Sequence, residues 1–141
     1  MNRPKYILFV VIVVLTVFTV NSIWAGENLG KKETIKLLSG NTVKGYYMVE
    51  ALQQGLMGRV RFEMKFFSDG SAEKTTIMAK RTRGQFTEKG KWFVNKKAKL
   101  CVAWVPENKK KCGRLKQTGD GKYELHRKQR TFFFEELVPG N

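Results

Sequence analysis

Histidine and cysteine are scarce in this chain, which has one histidine and two cysteines among 141 residues. A catalytic triad would have to use His126, and the sequence holds no Gly-x-Ser-x-Gly nucleophile motif. One histidine and two cysteines also fall short of the four ligands of a structural zinc site. No glycine-rich loop of the kind that cradles phosphates is present. The sequence therefore predicts a protein that is not an enzyme, has no metal or cofactor, and carries His126 on its surface.

Acidic residues are also few, with 12 Asp and Glu against 27 Lys and Arg, for a formal net charge of +15. A charge of this size attracts polyanions, most strongly at low salt. The same lysines also fit an ordinary solvated loop surface, so both interpretations stay open. The candidate anion-binding residues are Lys96, Lys97, Lys109, Lys110, Lys111, Arg127 and Lys128.

A charged start and a short apolar run indicate that the chain is exported. Residues 1–6 include Arg3 and Lys5, residues 7–20 carry no charge, and Ala25 is a small residue just before Gly26. These are the parts of a secretory signal peptide. A retained membrane anchor is the alternative, but a spanning helix needs about 20 apolar residues and this run is shorter. We therefore expect a signal peptide at residues 1–25 and a single domain at residues 26–141, located in the periplasm or secreted.

Export narrows the choice of polyanion. Outside the cytoplasm the candidate partners are anionic lipid head groups, surface polysaccharide and wall polymers, and nucleic acid is disfavoured. Membrane contact is expected only through the signal peptide or at the surface of the domain.

The hydrophobic pattern predicts one helix followed by strands. Residues 31–38 favour a short helix that ends at Gly40, because glycine tolerates a left-handed conformation there. The pattern then changes to a period of two, most clearly at residues 59–67, where apolar and charged side chains alternate. Residues 49–58 are expected to form a loop. The other predicted strands are residues 42–48, 74–79, 85–87 with 90–94, 99–105, 111–116, 122–126 and 129–135.

Short strands separated by turn signals every eight to twelve residues predict a mainly β fold, an antiparallel sandwich or a small barrel. Asp69 and Gly70 mark one turn, in which the aspartate caps its own backbone. Consecutive aromatics cannot all face one core, so Phe93 and Phe133 are expected on a second covered face or on the surface. The candidate core aromatics are Phe62, Phe66, Phe67, Phe86, Trp92, Phe93, Trp104, Tyr123, Phe132, Phe133 and Phe134.

Cys101 and Cys112 lie in two predicted strands that flank one loop. Their midpoint falls at the expected hairpin tip, so the two residues oppose each other across the pair of strands, near enough to be bridged. In an exported chain a disulfide is favoured over two free thiols. A redox pair is the weaker alternative, because such cysteines usually sit closer together at a helix start.

Several short motifs resemble the domain of unknown function 995 family. They are Leu38-x-Gly40-Asn41-Thr42-Val43-x-Gly45, Phe67-x-Asp69-Gly70-Ser71, Gly90-x-Trp92, Leu100-Cys101-Val102-x-Trp104 and Lys111-Cys112. The similarity spans about residues 33–123. It implies a small exported bacterial protein with a β-rich, lipocalin-like fold and paired cysteines, and it implies no activity or catalytic residues.

Two binding functions follow from these observations. The first is a non-catalytic domain that binds an anionic component of the cell envelope through basic loops. The alternative is a lipocalin-like carrier that holds a small apolar ligand in a barrel cavity. An enzyme is the third hypothesis, for which the sequence offers neither a nucleophile nor a base.

Overall fold

The computed structural model describes residues 26–50, 57–77 and 85–140. The predicted signal peptide, residues 51–56 of the predicted loop, and residues 78–84, which include the last two residues of the predicted strand 74–79, lie outside the described residues. The described chain forms one helix and nine strands. They are β1 (Glu27–Asn28), α1 (Lys31–Leu38), β2 (Asn41–Glu50), β3 (Met57–Phe66), β4 (Ser71–Ile77), β5 (Gln85–Val94), β6 (Lys99–Trp104), β7 (Lys110–Gly119), β8 (Lys122–Arg127) and β9 (Arg130–Pro139).

Strands β2 to β9 form a closed antiparallel barrel of eight strands. Each strand pairs with the next along the chain, and β9 returns to pair with β2. The short β1 pairs with Lys116 and Gln117 of β7, in the part of β7 that also pairs with β8. Because closure leaves no long free edge, the backbone groups of each strand find partners on both sides. The prediction of a small, lipocalin-like antiparallel barrel with one short helix is confirmed.

The alternating pattern of β3 decides which side chains enter the barrel. Phe62, Met64 and Phe66 are buried, whereas Arg61 and Lys65 are exposed. Successive side chains of a strand point to opposite faces, so one face of β3 belongs to the interior. The same alternation on the other strands supplies the rest of the core. Its buried members are Leu38, Val43, Phe62, Met64, Phe66, Ala72, Trp92, Val94, Leu100, Val102, Trp104, Leu115, Leu125, Phe132 and Phe134.

Helix α1 packs at the end of the barrel where β2 begins. Thr34 and Leu38 are buried, and α1 contacts β2 and β5. Glu33 accepts a hydrogen bond from the backbone of Gly30 at 2.8 Å, which satisfies one free donor at the helix start. Gly40 follows the helix with a φ of 76°, as the sequence predicted. We call this the helix end of the barrel, and we call the opposite end, where β2, β4, β6 and β8 finish, the mouth.

The disulfide is confirmed and joins two neighbouring strands. Cys101 of β6 and Cys112 of β7 are register partners with a Cα–Cα distance of 4.0 Å, and their sulfurs are bonded. Leu100 and Val102 point inward, so by alternation Cys101 lies on the outer wall. The bond therefore fixes the β6–β7 pairing.

Several predictions of detail are wrong. Residues 49–50 and 57–58, expected in a loop, extend β2 and β3. Residues 85–94, predicted as one strand or a pair of strands, form one continuous strand. The hydrophobic pattern does not predict β1, because a strand of two residues is too short to show an alternating pattern. Among the candidate core aromatics, Phe67 and Phe86 are exposed. Phe93 and Phe133 lie outside the core, as expected. Phe93 is exposed, and Phe133 lies on the outer wall, where it stacks on Tyr46 with ring centroids 4.9 Å apart.

The turn between β3 and β4 follows its predicted chemistry. Asp69 accepts hydrogen bonds from the backbone and the hydroxyl of Ser71, at 2.8 and 2.6 Å. These bonds hold the pKa of the Asp69 carboxyl below its usual value. Gly70 takes a φ of 86°, which an L-residue with a side chain rarely adopts.

Candidate binding site at the barrel mouth

The side chains that face the interior of the barrel change from apolar near the helix end to polar or charged near the mouth. On several strands, the inward position next to the core carries a polar or charged side chain. Lys74 follows Ala72 by two residues on β4, and Arg127 follows Leu125 by two on β8. A cavity of about 480 Å³ opens among these side chains. It is lined by Tyr47, Lys74, Trp104, Lys110, Lys111, Cys112, Arg127, Lys128, Gln129, Arg130 and Phe132.

The lining of the cavity is strongly cationic. Six of its residues are Lys or Arg and none is Asp or Glu. Two carboxylates of the described mouth approach the cavity, and each is already paired. Glu88 forms an ion pair with Lys74, and Glu107 lies 3.7 Å from Lys111. The cavity therefore keeps a surplus of positive charge, which low-dielectric walls focus onto an entering anion.

Aromatic rings hold three of the cations in place. The ammonium of Lys74 lies 5.0 Å from the ring centroid of Trp104, and the guanidinium of Arg127 lies 5.0 Å from that of Phe132. Arg130 lies 4.5 Å from the Tyr47 ring centroid. Cation–π contacts of this kind favour a charge kept against the wall over one that swings freely in water. The mouth thus presents positive charge and apolar surface side by side.

Arg127 is the cation with the least compensation. Its Nε and Nη2 atoms are buried and have no hydrogen-bond partner within the described residues. Burial lowers the pKa of Arg127 to about 10, so the guanidinium is still charged at neutral pH. Gly113 makes room for this side chain, because a Cβ there would lie 2.8 Å from Cγ of Arg127 and 2.6 Å from the His126 carbonyl oxygen.

The rim outside the cavity combines charge with exposed apolar side chains. Ile77, Phe86 and Val105 are 43%, 60% and 60% exposed. Lys109 and Lys128 are exposed at the same end of the barrel. Residues 78–84 connect β4 to β5 outside the described part of the chain, and their sequence contains three basic residues and no acidic one.

The structure divides the seven basic residues predicted to bind anions. Lys109, Lys110, Lys111, Arg127 and Lys128 gather at the mouth, although Lys110 and Lys111 belong to β7 and not to a loop. Lys96 and Lys97 lie in the β5–β6 turn at the helix end, where the backbone of Lys97 donates to Asn95 at 2.9 Å.

Sequence reasoning missed six residues that the structure places in the cavity lining. They are Tyr47, Lys74, Trp104, Gln129, Arg130 and Phe132. Trp104 and Phe132 were expected only as core, and the other four only as parts of strands. One signal was present: Lys74 has the same strand parity as Ala72, which identifies it as an inward cation once the inner face is known.

Three other features of the structure are weaker candidates for a functional site. His126 is exposed, as predicted, with Nε2 2.9 Å from Glu124 and Nδ1 3.3 Å from the Thr131 hydroxyl. Within the part of the chain that the structure describes, no three metal-ligating side chains cluster. A second cavity of about 460 Å³ at the helix end is lined by residues of both charges, including Glu27, Glu33 and Lys36. None of the helices in the described ranges is long and apolar enough to cross a bilayer.

No protein-family model, curated protein or solved structure matches the chain. The resemblance to the domain of unknown function 995 family stays a prediction.

Proposed function

We propose that this protein is a non-catalytic binding protein whose mouth attaches to anionic lipid head groups of the cell envelope. The observation that carries the proposal is the gathering of cations at one end of the barrel, with no acidic residue in the cavity lining. The envelope location rests on the predicted signal peptide.

Lipid is favoured over polysaccharide or wall polymer because the rim is apolar as well as basic. Ile77, Phe86 and Val105 expose their side chains at the same end of the barrel as Lys109 and Lys128. Each basic residue near an anionic leaflet contributes about 1 kcal/mol of attraction. Apolar side chains at the same rim add binding by entering the boundary between head groups and acyl chains. A polysaccharide would use the charge and leave these apolar side chains in water.

Vesicle flotation of the protein purified after export tests the proposal. We expect flotation with vesicles that contain phosphatidylglycerol, weaker flotation as salt rises, and none with phosphatidylcholine alone. K109Q/K128Q should weaken binding about 30-fold, because two contacts of about 1 kcal/mol each are lost. K96Q/K97Q is the matched control, since it removes the same charge from exposed positions at the helix end. Equal weakening by both variants, or equal binding to both vesicles, would contradict attachment through the mouth.

Mass spectrometry of the same material tests the predicted export signal. A chain that begins at Gly26 supports removal of residues 1–25. A chain that still begins at Met1 contradicts it, and the flotation comparison between the two variants would still locate the binding face.

A further inference from the structure

We infer that the cavity inside the mouth binds a small amphipathic acid, whose carboxylate or monophosphate group pairs with Arg127 while its apolar part contacts Trp104 and Phe132. The inference rests on the proposed function in one respect, since both take the mouth to be the binding face. It adds a molecule held singly within the barrel, which surface attachment does not require.

The acid group follows from the geometry of the guanidinium. Nε and Nη2 form one edge of Arg127, and their N–H bonds on that edge point the same way, at the spacing of two oxygens of a carboxylate or phosphate. Both atoms are buried and have no acceptor among the described residues. Buried polar groups in folded proteins are nearly always paired, so an orphaned pair on a cation calls for a specific acceptor. Because Arg127 also lines the cavity, we expect its outer torsions to rotate and turn this edge toward an entering acid.

The protein's own carboxylates do not fill this role in the described mouth. Glu88 is taken by Lys74, and Glu107 by Lys111. Residues 51–56 and 78–84, which lie outside the described residues, contain no Asp or Glu in their sequence. The strand beyond Arg127 adds a further cation, because Arg130 of β9 is its register partner. An acid from solution therefore meets positive charge from two adjacent strands.

The side chains that line the cavity and close its inner end indicate that the ligand has a short apolar part. Trp104 and Phe132 line the cavity, and a volume of about 480 Å³ falls within the range of small-molecule sites. Phe62 lies below, 2% exposed, with its ring centroid 5.7 Å from that of Phe132. Leu125, the register partner of Phe132, is fully buried. This packed floor stops a long acyl chain, so the ligand carries a short chain or a single ring system.

Isothermal titration calorimetry with three matched probes tests the inference. Octanoate and octyl phosphate carry an acid group on the same chain as octanol, which is neutral. At least one acid should bind more than about tenfold tighter than octanol, because a charge-assisted pair replaces an unpaired cation. R127Q should remove that preference. R114Q is the matched control, since Arg114 is an exposed arginine on the outer wall of β7.

The two acids also identify the chemistry of the natural ligand. Preference for octanoate indicates a carboxylic acid, and preference for octyl phosphate indicates a phosphate monoester such as a lipid head group. Octanol that binds as tightly as both acids, or an acid preference that survives in R127Q, overturns the inference. If R127Q does not fold, R127M decides by the same comparison, since it removes the charge and keeps the length of the arginine stem.

This experiment separates the inference from the proposed function. R127Q should still float with anionic vesicles, because Lys109 and Lys128 are unchanged at the rim. K109Q, which removes a lysine outside the cavity lining, should still prefer an acid over octanol, because the cavity keeps Arg127. In the wild-type protein, an acid preference without vesicle binding refutes only the membrane proposal, and vesicle binding without an acid preference refutes only the ligand.

Discussion

Replacement of Arg127 by methionine should make the protein more stable while it removes acid binding. Methionine matches the length of the arginine stem and packs against aromatic rings without a polar group. The arginine Nε and Nη2 have no hydrogen-bond partner to lose within the described residues. A buried charge without a partner is a cost to folding, so its removal should raise the free energy of unfolding.

The size of the effect follows from the pKa of Arg127. Burial lowers this value to about 10 on folding, and the difference from an ordinary arginine corresponds to about 3 kcal/mol. The folded pKa is depressed for a cation, so the cost is fully present below pH 10 and declines as pH rises above that value. Solvent reaches the part of the side chain that lines the cavity, which reduces the cost. Loss of the contact with Phe132 removes about 1 kcal/mol of stabilisation. We expect a net gain of about 1 to 2 kcal/mol at pH 7.

Thermal unfolding at pH 7 measures this change. For a domain of this size, a gain of 1 to 2 kcal/mol raises Tm by about 4 to 8 °C. R114M is the control and should shift Tm little, because exposed substitutions usually change stability by less than about 0.5 kcal/mol. An R127M protein that melts several degrees below wild type, with R114M unchanged, would refute the reasoning. That result would mean that the guanidinium stabilises the fold and is retained for structure.

Three further predictions concern the frame that holds the mouth. The double variant C101A/C112A should lose about 3 kcal/mol of stability in urea, and reduction should produce the same loss in wild type but none in the variant. G45A should cost about 1 to 3 kcal/mol by thermal unfolding, because its Cβ would lie 1.9 Å from a backbone oxygen of β9. G58A, where a Cβ has only ordinary contacts, should change stability little, and an equal loss in both would contradict this explanation. L125A should cost about 2 to 5 kcal/mol in denaturant, because Leu125 is fully buried.

Local chemistry made much of the fold predictable. The helix bounds were predicted correctly because Gly40 ends the apolar pattern with a left-handed residue. The disulfide was predicted because its two cysteines are equally spaced from a hairpin loop. The sequence did not decide between a sandwich and a closed barrel, because closure depends on the pairing of β2 with β9. About ninety residues separate those strands, and no local pattern encodes their register.

The site was harder to predict than the fold because charge alone does not indicate position. Seven basic residues were chosen by clustering along the chain, and two of them, Lys96 and Lys97, lie at the opposite end of the barrel. Their turn has the same composition as the mouth loops, so the sequence gives no reason to separate them. Lys74 was overlooked because a charged strand residue is normally expected to face solvent. Only the inward register of β4 shows that its side chain enters the cavity.

The change of character inside the barrel argues that the charged layer is retained for a ligand. Four strands place a small or apolar side chain inward at the core and a cation at the next inward position toward the mouth. The pairs are Ala72 and Lys74, Gly113 and Lys111, Leu125 and Arg127, and Phe132 and Arg130. Apolar residues at these positions would extend the core and contribute about 1.5 to 3 kcal/mol each when buried. The cations do not provide this stabilisation, and at Arg127 burial disfavours the charged form of the side chain. Since stability alone would favour the apolar choice on each strand, the shared departure at one depth is better explained by a negatively charged molecule that the barrel admits at its mouth.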